Sequence, residues 1–106
     1  MYKSKRSRAC DISKKVRDLV WERDGGKCII CGSPYAMPNS HFIRRSQGGL
    51  GIEENVVTMC SHCHRMYDQG SDRRAIEAYT ENYLRRHYPD WDREKLVYKK
   101  WSFQDA

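Results

Sequence analysis

Two pairs of cysteines are the first residues whose type and spacing indicate chemistry. Cys28 and Cys31 form one Cys-x-x-Cys pair, and Cys60 and Cys63 form a second. A two-residue gap lets a tight turn direct both sulfurs at one ion, and four thiolates complete the tetrahedral shell that zinc prefers. The spacing therefore predicts a structural zinc ion whose binding stabilises the fold. A redox pair beside unrelated buried cysteines is the alternative, and the presence of two pairs argues against it.

A second set of candidate residues lies between the cysteine pairs and just after them. His41 and Asn55 lie between the pairs, and His64 directly follows Cys63. Asp68 follows His64 by four residues, which on a helix places both side chains on one face, able to hold one ion. An imidazole and a carboxylate oxygen with open water positions suit Mg²⁺, Mn²⁺ or a similar divalent ion.

The order of these residues resembles that of the HNH nucleases, the ββα-metal or His-Me finger superfamily. Three segments carry the resemblance: NSHFI at 39–43, ENVV at 54–57 and CSHCH at 60–64. The resemblance runs from about Val16 to Gly70, and the opening helix is similar to that of phage-type members. It implies a small α+β fold, a ββα-metal domain with a four-cysteine zinc site.

The resemblance also implies a function and a role for several residues. It implies a metal-dependent DNA endonuclease that hydrolyses phosphodiester bonds by a one-metal mechanism. His41 takes the position of the general base, and an imidazole can accept a proton near neutral pH. Asn55 takes the position that braces the loop between the strands, and His64 takes that of a metal ligand. Ser40 stands where the family usually has a metal-binding Asp, Glu or His, so Ser40 is a weak candidate ligand beside His64 and Asp68.

Three arginines flank the candidate catalytic residues. Arg44 and Arg45 follow His41, and Arg65 follows His64. A guanidinium group at these places either binds a phosphate of the DNA bidentately or is a solvated surface group.

Two other classes of function remain open at this stage. A non-catalytic zinc-stabilised DNA-binding module would result if Ser40 had disabled the catalytic metal site. A protein-interaction module of the RING type would need a second, interleaved zinc site, and the remaining Cys and His residues lack the paired spacing for one.

Hydrophobic periodicity predicts three helices around these residues. Apolar residues at helical spacing predict a helix over about 13–23, capped by Ser13. A helix of one or two turns is predicted from Ser61 to before Gly70. A further amphipathic helix is predicted after Ser71, another capping candidate, and must end before Pro89.

Short β-prone segments at 28–32, 41–43 and 56–59 predict a two-stranded hairpin beside the cysteine pairs. Residues 12–70 are the predicted nuclease domain. Residues 71–106 are a predicted helical extension that packs on the same domain through its apolar residues Trp91, Leu96, Tyr98 and Trp101. Residues 1–11 are a predicted basic, disordered arm, which either follows a phosphate backbone or is only a solvated tail.

Composition limits the location and the partners of the protein. The chain has 106 residues and a formal net charge of +6, which favours one domain and a polyanionic partner such as DNA over a small molecule. No signal segment and no long apolar run are present, so a cytoplasmic location without membrane contact is predicted, in a bacterial host and encoded by a phage or prophage. Phage replication or packaging proteins are possible partners, and monomer and dimer remain open. The fifth cysteine, Cys10, receives no role.

Overall fold

The computed structural model describes residues 4–99 of the chain. Helix α1 spans Lys5–Cys10, helix α2 Lys14–Arg23, strand β1 Met37–His41, strand β2 Val56–Met59, helix α3 Ser61–Gln69 and helix α4 Arg73–His87. Short 3₁₀ turns lie at Arg45–Gln47 and Arg93–Leu96. None of the helices in this part of the chain is long and apolar enough to cross a membrane. The predicted α+β class is confirmed.

Helix α2 has the bounds that its sequence predicts. The Ser13 hydroxyl accepts a hydrogen bond from the Val16 amide at 3.2 Å, which satisfies one of the free amides of the first turn. At the other end Gly25 and Gly26 have φ angles of +69° and +68°, a left-handed conformation that favours glycine and turns the chain out of the helix.

The two strands pair antiparallel, but the first of them lies earlier than predicted. In β1, His41 pairs with Val56, and regular pairing ends there. The predicted strand segment 41–43 therefore contributes one residue to the ladder. The Phe42 amide still donates to the Asn55 carbonyl at 2.7 Å, but the Ile43 amide then donates to the Asn55 side-chain oxygen at 2.8 Å and not to a main-chain partner.

The predicted β-prone segment 28–32 is a turn and not a strand. The Gly32 amide donates to the Cys28 carbonyl at 2.9 Å, and the Cys28 amide donates to the Ser33 carbonyl at 2.9 Å. Gly32 has a φ of +78°. This tight turn directs the sulfurs of the first pair to one side, which an extended strand would not do because its side chains alternate.

Helices α3 and α4 follow the second strand. Helix α3 begins at Ser61 with the Cys60 sulfur as its cap, and its end agrees with the prediction. Helix α4 begins at Arg73, after Asp72 and not directly after Ser71, and no side chain caps it.

The C-terminal segment shares the hydrophobic core of the hairpin and α3. The Trp91 ring contacts Phe42 edge-on with centroids 5.7 Å apart, and its indole N–H donates to the Glu54 carbonyl at 2.8 Å. Leu84 of α4 and Leu96 are buried in the same cluster. Of the apolar residues predicted to pack back, Trp101 lies outside the described residues.

A buried ion pair that the sequence analysis missed connects α2 to the hairpin and to α4. Arg23 Nε lies 2.7 Å from the Asp24 carboxylate. That carboxylate also accepts the Thr58 amide at 2.8 Å and the Tyr83 hydroxyl at 2.6 Å, while Arg23 donates to the Val56 carbonyl at 2.8 Å. Burial would lower the pKa of Arg23, but the contacts with Asp24 outweigh it and raise that pKa.

Within the predicted disordered arm, the structure differs from the prediction. Residues Lys5–Cys10 form α1, with the Ser4 hydroxyl as its cap. Cys10 is only 2% exposed, and the Gly51 amide donates to the Ala9 carbonyl at 3.0 Å. These are contacts to residues distant in sequence, which local periodicity cannot reveal.

Candidate active site

The four paired cysteines converge on one point, as predicted. Their sulfurs all lie within 4.8 Å of one another, with Cys31 Sγ and Cys60 Sγ 3.6 Å apart, and none is in a disulfide. Burial opposes ionisation of Cys28, but hydrogen bonds from backbone amides lower the pKa of its thiol to about 7. Burial and the neighbouring sulfurs raise the pKa of Cys63. Because four sulfurs this close can complete a tetrahedral shell, the cluster is consistent with a structural zinc site.

Most of the predicted catalytic and phosphate-binding residues line one open cleft. The cleft has a volume of about 590 Å³, and its lining residues are Asn39, His41, Arg44, Arg45, Ser46, His64, Asp68 and Gln69. The predicted residues Arg65, Ser40 and Asn55 do not line it. Arg65 is exposed on α3, whereas Ser40 and Asn55 are buried beneath the surface.

His41, at the end of β1, is held by a main-chain group of α1. Its Nε2 lies 2.8 Å from the Cys10 carbonyl oxygen. A carbonyl only accepts, so Nε2 carries the proton of the neutral ring and Nδ1 keeps its lone pair. Burial lowers the pKa of His41 below its ordinary 6.5, against the effect of the Cys10 carbonyl, and the charge of Arg45 lowers it further. The ring is therefore neutral at neutral pH.

His64, on the first turns of α3, has a different partner at each ring nitrogen. Its Nδ1 lies 3.1 Å from the Ser40 hydroxyl, and its Nε2 lies 3.2 Å from an Asp68 carboxylate oxygen. Ser40 is 1% exposed, whereas the side chains of His64 and Asp68 are 42% and 39% exposed. The exposed edge of the ring is therefore the one facing Asp68.

Asn55 joins the loop between the strands to the end of β1. Its side chain accepts from the Ile43 amide at 2.8 Å and donates to the carbonyls of Ile43 at 3.2 Å and Leu50 at 2.8 Å. The side chain is fully buried. These three bonds fix the backbone two residues beyond His41.

Arg44 and Arg45 lie at the cleft with different partners. Arg44 donates to the Asp68 carbonyl at 3.1 Å, and its buried Nε, which has no hydrogen-bond partner, lies 3.9 Å from an Asp68 carboxylate oxygen. Arg45 forms an ion pair with Asp11 at 2.9 Å. Both guanidinium groups therefore place positive charge at the cleft.

Two contributors to the site were missed by the sequence analysis. Asn39 lines the cleft together with His41, as expected for residues two apart on a strand, so strand alternation could have identified it. The Cys10 carbonyl carries no such signal, because every residue has a main-chain oxygen.

Comparison with known proteins agrees with this geometry. A family model described as HNH endonuclease matches residues 28–70, from the first cysteine pair to the end of α3. The predicted resemblance to the HNH nucleases is therefore confirmed over this segment. The chain is also similar to the protein named anaredoxin from Nostoc sp. (strain PCC 7120 / SAG 25.82 / UTEX 2576), with 29% identity over 58 residues, which are 54% of this chain and 76% of that protein. The HNH match supports a nuclease or nucleic-acid-binding role.

Proposed function

We propose that the protein is a metal-dependent DNA endonuclease with His41 as its general base. The observation that carries this proposal is the shared cleft: His41 and the His64–Asp68 pair both line it, beside Arg44 and Arg45. A proton acceptor, an imidazole–carboxylate pair and two positive charges are the groups that phosphodiester hydrolysis needs.

His41 acts on the attacking water. Its unprotonated Nδ1 takes a proton from the water as the water oxygen bonds to phosphorus. The N–H group at Nε2 stays hydrogen-bonded to the Cys10 carbonyl. The bond from phosphorus to the 3′ oxygen breaks, and solvent water protonates that leaving oxygen. The products are a 5′-phosphate and a 3′-hydroxyl end.

His64 and Asp68 are the residues that would hold the divalent cation. Their Nε2 and carboxylate oxygen lie 3.2 Å apart on the open side of the ring, a donor pair suited to Mg²⁺ or Mn²⁺. When bound, such an ion supplies Lewis acidity toward the phosphate oxygens. Ser40 lies at the opposite ring nitrogen. We therefore propose that Ser40 orients the His64 ring and is not itself a metal ligand.

Arg44 and Arg45 are the proposed phosphate-binding residues. Arg44 lines the cleft with its side chain 33% exposed, and its Nε lies 3.9 Å from an Asp68 carboxylate oxygen, so the guanidinium is placed to bind a phosphate in the cleft. Arg45 pairs with Asp11 and donates to Ser7, but its side chain is 44% exposed and lines the cleft, so its charge is available to a phosphate. Arg65 is exposed but does not line the cleft, so we propose that it binds phosphates further along the DNA.

The test is a plasmid-cleavage assay with the zinc-loaded protein, screened over Mg²⁺, Mn²⁺ and a metal-free control. The wild type should nick or cut supercoiled DNA. His41→Ala should lose activity by about 10² to 10⁴, the usual contribution of a general base, while it keeps its zinc and its melting temperature. The matched control is His87→Ala, which removes an exposed histidine of α4 outside the cleft and should retain full activity.

Two results would contradict the proposal. An unchanged rate in His41→Ala would exclude His41 as the base. Binding of DNA without cleavage under every metal would favour the alternative of a zinc-stabilised DNA-binding module, in which the serine at position 40 accompanies an inactive metal site.

A further inference from the structure

We propose that helix α1 is a positioning element of the catalytic site, because its last residue, Cys10, fixes the tautomer of His41 through its carbonyl. This inference rests on the proposed function, since it assigns a role within the same cleft. It also extends the site beyond residues 28–70, the segment that the HNH family model matches.

The tautomer matters because a neutral imidazole has two forms. With the proton on Nε2, the lone pair is on Nδ1, where it can take the proton of the attacking water. With the proton on Nδ1, that nitrogen is a donor and cannot act as a base. The carbonyl 2.8 Å from Nε2 stabilises the first form and also restricts rotation of the ring.

Several contacts hold this carbonyl in place. Asp11, next to Cys10, forms an ion pair with Arg45 at 2.9 Å. The Arg6 guanidinium donates to the carbonyls of Arg45 at 3.3 Å and Ser46 at 3.1 Å. Both partners lie in the loop that lines the cleft. Helix α1 is therefore docked against the same loop that carries a proposed phosphate-binding residue.

The backbones of α1 and of this loop approach closely at Gly51. The Gly51 amide donates to the Ala9 carbonyl at 3.0 Å. A Cβ at position 51 would lie 2.0 Å from the Asp11 carbonyl oxygen and 3.0 Å from that of Cys10. Main-chain atoms cannot tolerate a contact of 2.0 Å, so Gly51→Ala must displace the end of α1. Gly51 is not a cleft-lining residue, and the substitution leaves every proposed catalytic side chain unchanged.

A matched glycine variant provides the control. Gly25 has a φ of +69°, so alanine there strains the turn after α2, but its Cβ would meet nothing within 4 Å. Gly25→Ala thus carries a general cost in stability without displacing α1. Arg6→Ala is a milder second variant, which removes two of the docking hydrogen bonds and no buried group.

The experiment measures the tautomer of His41 directly, by the ring ¹⁵N chemical shifts of histidine-labelled, zinc-loaded protein without added Mg²⁺. The His41 signals are assigned by their absence in His41→Ala. The wild type and Gly25→Ala should show the Nε2-protonated form. Gly51→Ala should show a mixture of both forms, and Arg6→Ala a smaller change in the same direction. Single-turnover cleavage by Gly51→Ala should be slower by roughly 10- to 100-fold, with DNA affinity within about twofold of the wild type.

The outcomes are separable from those of the proposed function. An unchanged tautomer in folded Gly51→Ala overturns the inference, and if that variant does not fold, an unchanged tautomer in Arg6→Ala does so. A mixture of both tautomers in Gly51→Ala together with an unchanged cleavage rate also overturns the inference. If the wild type does not cleave DNA at all and the tautomer still depends on α1, the proposed function fails, whereas the positioning of His41 by α1 stands.

Discussion

His64 is an imidazole bridging two groups, Ser40 at Nδ1 and Asp68 at Nε2. The two nitrogens face different directions, so one ion cannot bind Nε2 beside Asp68 and contact the Ser40 hydroxyl at the same time. The sequence analysis considered serine a poor substitute for a carboxylate ligand. The geometry indicates a different role for Ser40, because a buried hydroxyl that is hydrogen-bonded to Nδ1 of His64 fixes the direction of Nε2.

Ser40→Ala should therefore weaken metal binding without removing the metal site. Loss of the hydrogen bond lets the ring of His64 rotate, and loss of such an outer partner typically costs about 10- to 100-fold in metal affinity. The measurement is the initial cleavage rate as a function of Mn²⁺ concentration, in which the half-saturating concentration should rise while the rate at saturation recovers. Ser71→Ala, at an exposed serine between α3 and α4, is the control. A metal dependence equal to that of the wild type would remove Ser40 from the site.

Sequence spacing predicted several residues of the cleft and the cysteine cluster because they depend on local geometry. His64 and Asp68 follow from the repeat of a helix, and the cysteine sulfurs from paired turns. The acceptor for His41 could not be predicted, because it is a main-chain oxygen 31 residues away in sequence. Its presence depends on how α1 docks, which the side-chain pattern of residues 1–11 does not encode.

At the scale of elements, the buried pair of Arg23 and Asp24 sets the arrangement of α2, the hairpin and α4. The partners of the pair lie on several segments: the Glu53 carbonyl precedes β2, the Thr58 amide is within β2, and the Tyr83 hydroxyl is on α4. The cost of burying two charges is offset only because these polar groups surround them.

Asp24→Asn should destabilise the zinc-loaded protein by about 3 to 5 kcal/mol, because it leaves the Arg23 charge buried without its counterion. Asp18→Ala is the matched control on the same helix, since Asp18 pairs with Lys14 at 2.8 Å but both side chains are largely exposed. That substitution should cost about 0.5 kcal/mol or less. Urea unfolding followed by circular dichroism measures both. Similar losses for the two variants would show that the Arg23–Asp24 pair does not hold these elements together.

The bounds of α2 and β2 were predictable from the sequence, and those of β1 were not. Ser13 and the two glycines after α2 encode its start and stop in neighbouring residues. In contrast, the first strand occupies Met37–His41, which includes Pro38 and Asn39, and only His41 falls in a predicted β-prone segment. Pairing with β2, in which every residue is buried, overrides the low β-propensity of those residues.

The whole molecule is held together by a small core and by the cysteine cluster. The cluster joins the turn before β1 to the start of α3, and Cys63 is the neighbour of His64 in the chain. It thus connects the two elements that carry His41 and the His64–Asp68 pair. The unfolding free energy of domains of this size is about 5 to 15 kcal/mol, and zinc binding in small modules contributes on the order of 10 kcal/mol. The two quantities are comparable, so most of the stability should depend on the metal.

Removal of zinc should therefore unfold the protein and not merely inactivate it. After treatment with a strong chelator, thermal melting followed by circular dichroism should lose its cooperative transition, and Mg²⁺ alone should restore neither the fold nor cleavage. Cys63→Ala should behave like the stripped protein, because three sulfurs leave the shell open. Cys10→Ala is the matched control: Cys10 is as buried as Cys63 but lies outside the cluster, so this variant should keep one zinc per chain and a cooperative transition. A stripped protein that still melts cooperatively would mean that the core of Phe42, Leu84 and Trp91 is sufficient for folding, and the cleft would then not depend on the metal.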